Sequence, residues 1–495
     1  MKRKIYIHNE IMTSSSPTEK WERTNLRLNS HAGASSDSKR ASAAVSIDED
    51  CCYLCLPSSS DVDSRALHMN GKNDVDDENQ SSKATRLRHL MTLDQYLSTV
   101  PQLASATRQL FSSSAAVTNS NPNKHKLITS TNSGRIINVL QGEIAHCTNT
   151  QADVLVSDDA TTCHILGLWS RRQLCYTLTT LNTAHPMMMM QQPARGDMGG
   201  NDDTLATVAH IDSPDYDSCI KNAIDLHYQY HSSQLLSTGD DETNLSFIEL
   251  TIHIMGGYND NDGTSLEITN TVMRALSNES NEYVDRQPEM RMILRTCAVS
   301  SSNDNGSGCP IGRGLALQVS SGEVYLAEVS EHIDTSSIEY NTSNATATSS
   351  TTIDVTTSAR GPDCILRSAR LWASFMFNHN NSKRTLEVIH HPNNEYLHIS
   401  PFFFTWHSFP QRMLALDDDL LLEYTSSSPD VEKDNFARHV RATFRYMNGT
   451  YCFHVFKRRM DENDDDSVED SWSDEDYLPR RYRRVGLNGW TVVGD

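Results

Sequence analysis

The stretch "SDDATTCHILGL", from Ser157 to Leu168, turns a run of small polar residues into an apolar strand at a single cysteine, Cys163. The change in pattern predicts a strand that begins close to this cysteine. Three roles are open for Cys163: a thiol buried in the core, a metal ligand or a nucleophile. The polar run is a poor place to bury a thiol, and loop-to-strand junctions hold reactive groups on rigid scaffolds.

A nucleophilic cysteine needs a base, because an unperturbed thiol with a pKa of about 8.5 is mostly protonated at neutral pH. His164 is adjacent to Cys163. Successive side chains of a strand point to opposite faces, so this ring is expected to face away from the thiol. The partner must therefore come from elsewhere in the chain.

Composition limits the classes of function. The chain has 495 residues, a hydrophobic share of 37% and a formal charge of -21. The low hydrophobic share predicts disordered tracts beside one large folded domain. The acidic charge argues against a nucleic-acid or anionic-membrane partner and favours a neutral or cationic peptide.

Targeting signals and cysteine use predict a reduced, intracellular protein. The basic N-terminal stretch lacks the apolar run of a secretory signal, and no window reaches the roughly 18 apolar residues of a membrane span. The 11 cysteines are an odd number. Reduced thiols are therefore expected rather than a disulfide framework, and the expected location is the cytoplasm, with the nucleus also compatible.

The pattern along the chain predicts an α+β class and three regions. Short β-branched runs alternate with helix-like segments from Arg135 onward. The predicted regions are a disordered low-complexity N-terminal region at 1–83, a helical segment and linker at 84–126, and a single domain at 127–495. Low-complexity inserts are predicted near 186–203, 334–359 and 458–478. Helices are predicted within 85–111, 210–231, 265–278, 362–378 and 434–448.

Several candidate metal sites are weak. Cys52 and Cys55 form a single Cys-x-x-Cys pair within the predicted disordered region, without a second pair. His227 and His231 are one helical turn apart, but no third ligand is evident. This favours two histidines on a surface helix whose ring nitrogens have hydrogen-bond partners. The run 187–190 of four methionines is typical of a loop rather than a copper site. No metal site is therefore expected.

Gly256 and Gly257 follow a strongly apolar strand. The Lys and Ser/Thr of a phosphate loop are missing, so the glycines are expected to let backbone pass close to a neighbouring strand or a ligand. We include both among the candidate substrate-binding residues.

The order of several motifs resembles that of the protein N-terminal asparagine amidohydrolases. The resemblance extends over about residues 135–410, and a weaker trace continues to "NGWTVV". Its blocks are "SDDATTCH", "AHIDSP", "IELTIHIMGGYND", "RGPDCILRSARL" and "LHISPFFFTWHSFP". The resemblance implies an α-β-β sandwich of the cysteine hydrolase/deamidase type, similar to cytotoxic necrotizing factor and chemoreceptor glutamine deamidase. The disordered N-terminal region and the inserts depart from the compact length of this family.

The resemblance also implies an activity and its residues. The nucleophile matches Cys163, the histidine matches His210 and the serine matches Ser157. The family converts an N-terminal Asn to Asp and feeds the N-degron route to proteolysis. The implied protein needs no metal or organic cofactor, acts on proteins or peptides with a free N-terminal Asn, and is a monomer.

Residues around the cysteine have expected roles with open alternatives. Asp158 or Asp159 would bind the substrate α-ammonium, although a solvated or turn-forming pair fits the same residues. Backbone N–H groups at Thr162 and Cys163 are expected to bind the oxyanion. Ser157 would hold the imidazole tautomer or cap a turn.

His185 is the main rival to His210 as the base. It runs straight into Pro186 and the methionine-rich insert, where no rigid element would direct its ring. His210 ends the predicted strand "TLATVAH" and precedes the turn "DSP". Pairing of this strand with that of Cys163 would bring the ring to the thiol.

Two other functional classes remain open. One is a catalytically silent module that binds peptide N-termini, and the other is a different cysteine amidohydrolase or peptidase. A papain-like enzyme is disfavoured because no "CGSCW"-type stretch is present.

Overall fold

The computed structural model describes seventeen segments of the chain, namely 21–22, 90–91, 101–115, 126–128, 135–175, 204–238, 245–260, 263–283, 286–305, 309–329, 362–377, 384–402, 408–432, 436–449, 455–457, 477–486 and 489–493. The predicted disordered region at 1–83 lies outside these residues except for 21–22. The inserts near 186–203 and 334–359 lie outside them, and so do Cys52, Cys55 and His185. Of the insert near 458–478 only 477–478 are described.

The described residues form an α+β fold, which confirms the predicted class. The strands are β1 (Trp21–Glu22), β2 (Leu90–Met91), β3 (Lys126–Ile128), β4 (Ile136–Asn138), β5 (Glu143–Thr148), β6 (Val154–Ala160), β7 (His164–Cys175), β8 (Thr204–Ile211), β9 (Leu245–Gly256), β10 (Glu289–Val299), β11 (Arg313–Gln318), β12 (Val324–Val329), β13 (Glu387–His390), β14 (Tyr396–Ile399), β15 (Arg480–Val485) and β16 (Gly489–Val492). The helices are α1 (Pro101–Ala115), α2 (Asp217–Thr238), α3 (Thr264–Tyr283), α4 (Cys364–Phe377), α5 (Ser408–Leu414), α6 (Asp418–Thr425) and α7 (Phe436–Gly449).

A mixed sheet of six strands, in the order β10-β9-β7-β8-β5-β13, is the largest. Strand β7 is antiparallel to both β8 and β9. A second sheet has the order β3-β12-β11-β6-β4, and a third has the order β14-β15-β16. Strand β16 confirms that the segment near the C-terminal end of the sequence forms a strand, and its partner β15 also pairs with β14.

Strand β7 contributes side chains to both sides of its sheet. Ile165 packs with Leu155 and Leu315 of the five-stranded sheet. Leu166, the next residue, packs with Ile224 of α2 and Val272 of α3. Complete burial stabilises each such side chain by about 1.5–3 kcal/mol. These two apolar layers fix β7 in place, and with it the residue that precedes the strand.

Helix α4 packs next to β5 and α7. The guanidinium of Arg367 donates to the Glu143 carboxylate through Nε (2.8 Å) and Nη2, and both side chains are buried. Glu143 Oε2 also accepts from the backbone N–H of Leu140 at 2.8 Å. Because a broken buried ion pair leaves an unpaired charge, this pair strongly constrains α4 and the loop at Leu140.

Two expectations about local structure were wrong. Of the one or two helices expected within 85–111, residues 101–111 do lie in α1, which extends to Ala115, but residues 90–91 pair with residues 21–22 as strands. His227 and His231 are 0% exposed and not on a surface, because α2 turns them toward the sheet, where both hydrogen-bond to Ser170. Strand pairing and helix docking both depend on distant residues, which local periodicity cannot show.

Candidate active site

Cys163 and His164 lie on opposite faces at the start of β7, as strand alternation predicts. His164 Nε2 is 2.6 Å from Thr269 Oγ1 of helix α3, on the helical side of the sheet. Cys163 lines a cavity on the other side. His164 is therefore not placed to act on the Cys163 thiol.

Strand β8 brings His210 to the same face as Cys163. His210 is the cross-strand partner of Ile165, which lies two residues after Cys163. Residues two apart on a strand share a face, and so do cross-strand partners. This confirms the expectation that the strand of His210 pairs with that of Cys163.

The cavity has a volume of about 480 Å³ and gathers most of the predicted site residues. Cys163, His210, Asp158, Asp159 and Thr162 all line it. Its walls come from the loop after β4, the ends of β6 and β8, and helices α4, α6 and α7.

Ser157 lies behind His210 and is completely buried. Its Oγ is 2.7 Å from the carbonyl oxygen of Val139 and 2.8 Å from Nδ1 of His210. A carbonyl can only accept, so the single hydroxyl proton goes to Val139 and the Ser157 oxygen accepts from Nδ1–H. This pattern assigns the tautomer in which Nε2 of His210 carries the lone pair. That nitrogen is the one a general base uses.

Burial lowers the pKa of His210 from 6.5 to about 4, and the Asp212 and Asp159 carboxylates oppose this effect. The ring is therefore neutral at pH 7 and able to accept a proton. Among the described residues the ring hydrogen-bonds to Ser157 and not to Cys163. Catalytic hydrogen bonds often tighten only when substrate is bound.

Burial raises the pKa of the Cys163 thiol, and the carboxylates of Asp212 and Glu432 raise it further. A hydrogen bond from Thr162 acts in the opposite direction. The resting pair is thus a thiol and a neutral imidazole. A thiol in this state needs a base to take its proton before or during any attack on a carbon atom.

A bulge in β6 places two successive carboxylates at the cavity. Ala160 pairs with Arg313 of β11 and Ser157 pairs with Leu315, so β6 has one extra residue in this interval. Asp159 has φ 59°, in the left-handed region that Asp tolerates better than most residues. Because the bulge interrupts the regular alternation, Asp158 and Asp159 both reach the cavity.

The sequence reasoning missed two acidic residues of the cavity, Asp212 and Glu432. Asp212 accepts hydrogen bonds from Gln141 Nε2 at 3.1 Å and from Tyr216 Oη at 2.8 Å. Its position two residues after His210 was an available signal, because residues i and i+2 of a strand share a face. Glu432 accepts from Ser426 Oγ. It comes from a distant part of the chain and carries no local signal.

Gly256 and Gly257 support the backbone of Cys163 and do not line the cavity. The N–H of Gly257 donates to the carbonyl of Cys163 at 2.9 Å. A Cβ on Gly256 would lie 2.3 Å from that carbonyl oxygen, and one on Gly257 would lie 2.4 Å from the His164 ring. Close approach to a neighbouring strand is confirmed. The expected substrate contact is not supported by this geometry, because the space above both glycines is filled by Cys163 and His164.

Asn303 holds this pair of glycines and was also missed. It is 0% exposed, and its Nδ2 lies 3.0 Å from the carbonyl oxygens of both Gly256 and Gly257 and 2.6 Å from that of Ala298. Asn303 thereby fixes the turn that hydrogen-bonds to Cys163. Nothing in its neighbourhood in the sequence indicates this contact.

A second cysteine and histidine lie close together away from the cavity. Cys147 Sγ is 3.3 Å from Nδ1 of His390, and both residues are buried. Burial raises the pKa of this thiol as well. Since neither residue lines the cavity, substrate could not reach them there.

The part of the chain that the structure describes contains no cluster of three or more His, Cys, Asp or Glu side chains able to hold a metal ion. The His227 and His231 rings are engaged with Ser170, and His227 Nε2 lies 2.8 Å from Thr207 Oγ1. The same described residues include no helix with the length and apolar character needed to cross a bilayer.

The chain is similar to one family of known proteins. The model of the family described as protein N-terminal asparagine amidohydrolase matches residues 200–338 and 333–460, together just over half of the chain. The matched segments include His210 and begin after Cys163. A protein of that name from Mus musculus is 25% identical over 203 residues, which is 40% of this chain and 50% of the relative. Another from Homo sapiens is 24% identical over 202 residues, again 40% and 50% of the two chains. The chain thus spans about half the length of the curated relatives it matches.

Proposed function

Since this chain belongs to the protein N-terminal asparagine amidohydrolase family, we propose that it hydrolyses the side-chain amide of an N-terminal asparagine to aspartate and releases ammonia. One observation carries the proposal. Cys163 and His210 line one cavity, and Ser157 holds His210 in the tautomer of a general base.

In the first step His210 Nε2 takes the proton of the Cys163 thiol as the sulfur attacks the side-chain carboxamide carbon. The carbonyl oxygen becomes an oxyanion, for which the backbone N–H groups of Thr162 and Cys163 are the proposed donors. The C–N bond then breaks as the imidazolium donates its proton to the amino group, so ammonia leaves and a thioester remains.

In the second step water hydrolyses the thioester. Neutral His210 takes a proton from the water as its oxygen attacks the thioester carbon, and the C–S bond breaks as the imidazolium returns the proton to sulfur. The products are the aspartate side chain and the restored Cys163 thiol. The nearby Asp212 carboxylate, which raises the pKa of His210, stabilises the imidazolium that forms in both steps.

Asp158 and Asp159 are the proposed partners of the substrate α-ammonium. Both line the cavity that holds Cys163, and the bulge in β6 directs them there. A charged hydrogen bond to a carboxylate is stronger than a neutral one, so the free amine would contribute to both affinity and position. Rejection of an N-terminal Gln would depend on the depth of the cavity. The extra methylene of Gln moves its side-chain carbonyl away from the thiol and the oxyanion donors.

We also propose the finer fold type and the setting of this activity. Helices on one side of the six-stranded sheet and a second sheet on its other side support an α-β-β sandwich of the cysteine hydrolase/deamidase type. We propose a single domain over 127–495 that acts as a monomer without a cofactor in the cytoplasm or nucleus. Its product, a new N-terminal Asp, would enter the N-degron route to proteolysis.

The decisive experiment incubates the purified chain with a short peptide that begins with Asn. We expect release of ammonia and conversion of Asn to Asp in the mass spectrum. Matched peptides that begin with acetyl-Asn, or carry Asn at the second position, should remain unchanged because each lacks an α-ammonium next to the amide. Comparable turnover of the acetylated peptide would contradict recognition of the free amine.

The same experiment separates the proposed enzyme from a silent binding module. Alkylation of the thiol should stop ammonia release. A chain that binds the Asn peptide equally well before and after alkylation, and never releases ammonia, would be a binding module and not a hydrolase.

A further inference from the structure

The cavity also has an apolar wall. Helix α4 contributes Leu371, Trp372 and Phe375, which share one helical face, and α7 contributes Phe436 and Val440, one turn apart. None of these side chains has an evident part in hydrolysis of a side-chain amide. The wall therefore needs an explanation of its own.

The wall retains exposed apolar surface. Leu371, Trp372, Phe375 and Phe436 are only half-buried. On the opposite side of α4, Ala369 and Ala373 are fully buried in the core. Removing apolar surface from water is favourable, so a ligand that covers this surface gains affinity.

Contacts within the protein hold the wall in place without a ligand. The Trp372 ring lies 5.0 Å from that of Phe444, and the guanidinium carbon of Arg384 lies 4.2 Å from the Phe375 ring centroid. The buried pair of Arg367 and Glu143 ties α4 to β5. A preformed surface binds with a smaller entropic cost than one that must be ordered.

We propose that this wall binds the side chain of the second substrate residue and that the protein prefers a large apolar residue there. The inference rests on the proposed function, which places the first residue against Cys163, His210 and Asp158. Consecutive Cα atoms are about 3.8 Å apart, so the second side chain remains within the same cavity. The wall is continuous with the catalytic residues in that cavity, which makes the second residue its occupant.

Charge adds a second preference. Asp158, Asp159, Asp212 and Glu432 all line the cavity. Of the two nearby arginines, Arg367 already pairs with Glu143, and Arg384, which stacks on Phe375, is not among the lining residues. An acidic second residue would thus meet like charges, and glycine would leave the wall uncovered. The expected order of kcat/KM is Asn-Phe and Asn-Leu, then Asn-Gly, then Asn-Glu. We expect kcat/KM for the Asn-Phe and Asn-Leu peptides to exceed that for the Asn-Gly peptide by on the order of tenfold.

The test measures kcat/KM for peptides that differ only in this second residue. The variants Phe375→Ala and Trp372→Leu should bring the ratio of Asn-Phe to Asn-Gly close to one. Ile365→Ala is the matched control, because Ile365 lies on α4 but outside the cavity lining, and the ratio should stay at its original value. Circular dichroism checks that each variant folds. If Trp372→Leu does not fold because the contact with Phe444 is lost, Phe375→Ala carries the test alone, since Phe375 lies in the last turn of α4.

Binding separates this inference from the proposed function. Calorimetric titration of the Cys163→Ala variant should give tighter binding of the Asn-Phe peptide than of the Asn-Gly peptide without any turnover. Equal affinities and equal kcat/KM values would overturn the inference and leave deamidation intact. A preference that survives both wall variants would overturn the assignment to this wall. Tighter binding of Asn-Phe by a chain that never releases ammonia would overturn the proposed function alone.

Discussion

Ser157 Oγ lies 2.8 Å from His210 Nδ1, and its own proton goes to the carbonyl oxygen of Val139. The serine hydroxyl thus contacts the ring, and in the proposed mechanism it would influence the thiol only through that ring. We expect Ser157→Ala to lower kcat by on the order of tenfold or more, because the neutral ring loses its preference for the reactive tautomer.

Nitrogen-15 NMR of the histidines tests this role directly. In Ser157→Ala the His210 signals should move toward a mixture of the two neutral tautomers. The Ser170→Ala variant, which removes a contact to His227 and His231 instead, should leave the His210 tautomer unchanged. An unchanged His210 tautomer in Ser157→Ala would contradict the assignment.

Replacement of Cys163 by Ala or Ser should abolish deamidation while the fold persists. A serine hydroxyl beside one imidazole is a far weaker nucleophile than a thiolate at neutral pH. Cys147 provides the matched control, since it is a free cysteine that lies 3.3 Å from a histidine, His390, away from the cavity. The Cys147→Ala variant should retain ammonia release. Activity above a few per cent in Cys163→Ser would argue against a thiolate mechanism.

The identity of the base can be decided by three glutamine substitutions. We expect ammonia release to fall on the order of a hundredfold or more in His210→Gln, the usual scale for loss of a general base. His164→Gln should retain activity because His164 faces Thr269 on the other side of the sheet. His185→Gln should retain activity as well. An inactive but folded His185→Gln beside an active His210→Gln would reverse the assignment.

The Asp212→Asn variant should shift two pH profiles in the same direction. The Asp212 carboxylate raises the pKa of both His210 and Cys163, so its removal lowers both values. The acid limb of kcat/KM, which depends on neutral His210 with a pKa of about 4, should move to lower pH. The onset of Cys163 alkylation by iodoacetamide should also move to lower pH. The control variant Glu249→Gln, in strand β9 and outside the cavity, should change neither profile. Movement of both profiles to higher pH in Asp212→Asn would refute the proposed influence of Asp212.

Buried histidines should make the fold sensitive to mild acid. Burial lowers the pKa of His146 and of His253 from 6.5 to about 3, and it lowers that of His227 well below 6.5. Below pH 6.5 the unfolded chain thus binds protons that the folded chain does not. Above that pH the buried histidines do not lower the free energy of unfolding. The free energy of unfolding falls as the pH decreases toward the pKa values that these histidines have in the folded state.

Urea unfolding between pH 7.5 and 5 measures this effect in a range where most carboxylates remain ionised. Each buried histidine contributes a slope of up to about 1.4 kcal/mol per pH unit. His227→Gln should have a smaller slope than the original chain. A stability that does not change over this range would contradict the prediction.

Local patterns predicted much of the secondary structure. Runs such as "TLATVAH" and "FIELTIHIMGG" are apolar and β-branched, and they form β8 and most of β9. Apolar residues three and four apart predicted α2, α3, α4 and α7. These predictions succeed because spacing alone decides which side chains share a face of a strand or helix.

Predictions that needed a partner far along the chain were less complete. Residues 90–91 were expected in a helix, and His227 and His231 were expected on a surface. Asn303 contacts Gly256 and Gly257 across 47 and 46 positions, respectively. Nothing in the short-range pattern of any of these residues encodes such contacts.

The resemblance to a known family supplied Ser157 and His210 as candidate site residues beside Cys163. The sequence by itself determined that Cys163 and His164 face opposite ways. It could do so because alternation along a strand is a local property of the backbone. Only the tertiary structure decided that Ser157 orients His210, that Asp212 and Glu432 join the cavity, and that Gly256 and Gly257 support Cys163 from behind. Those relationships depend on strand order, on one bulge in β6 and on helix docking, which are set by contacts between segments far apart in the chain.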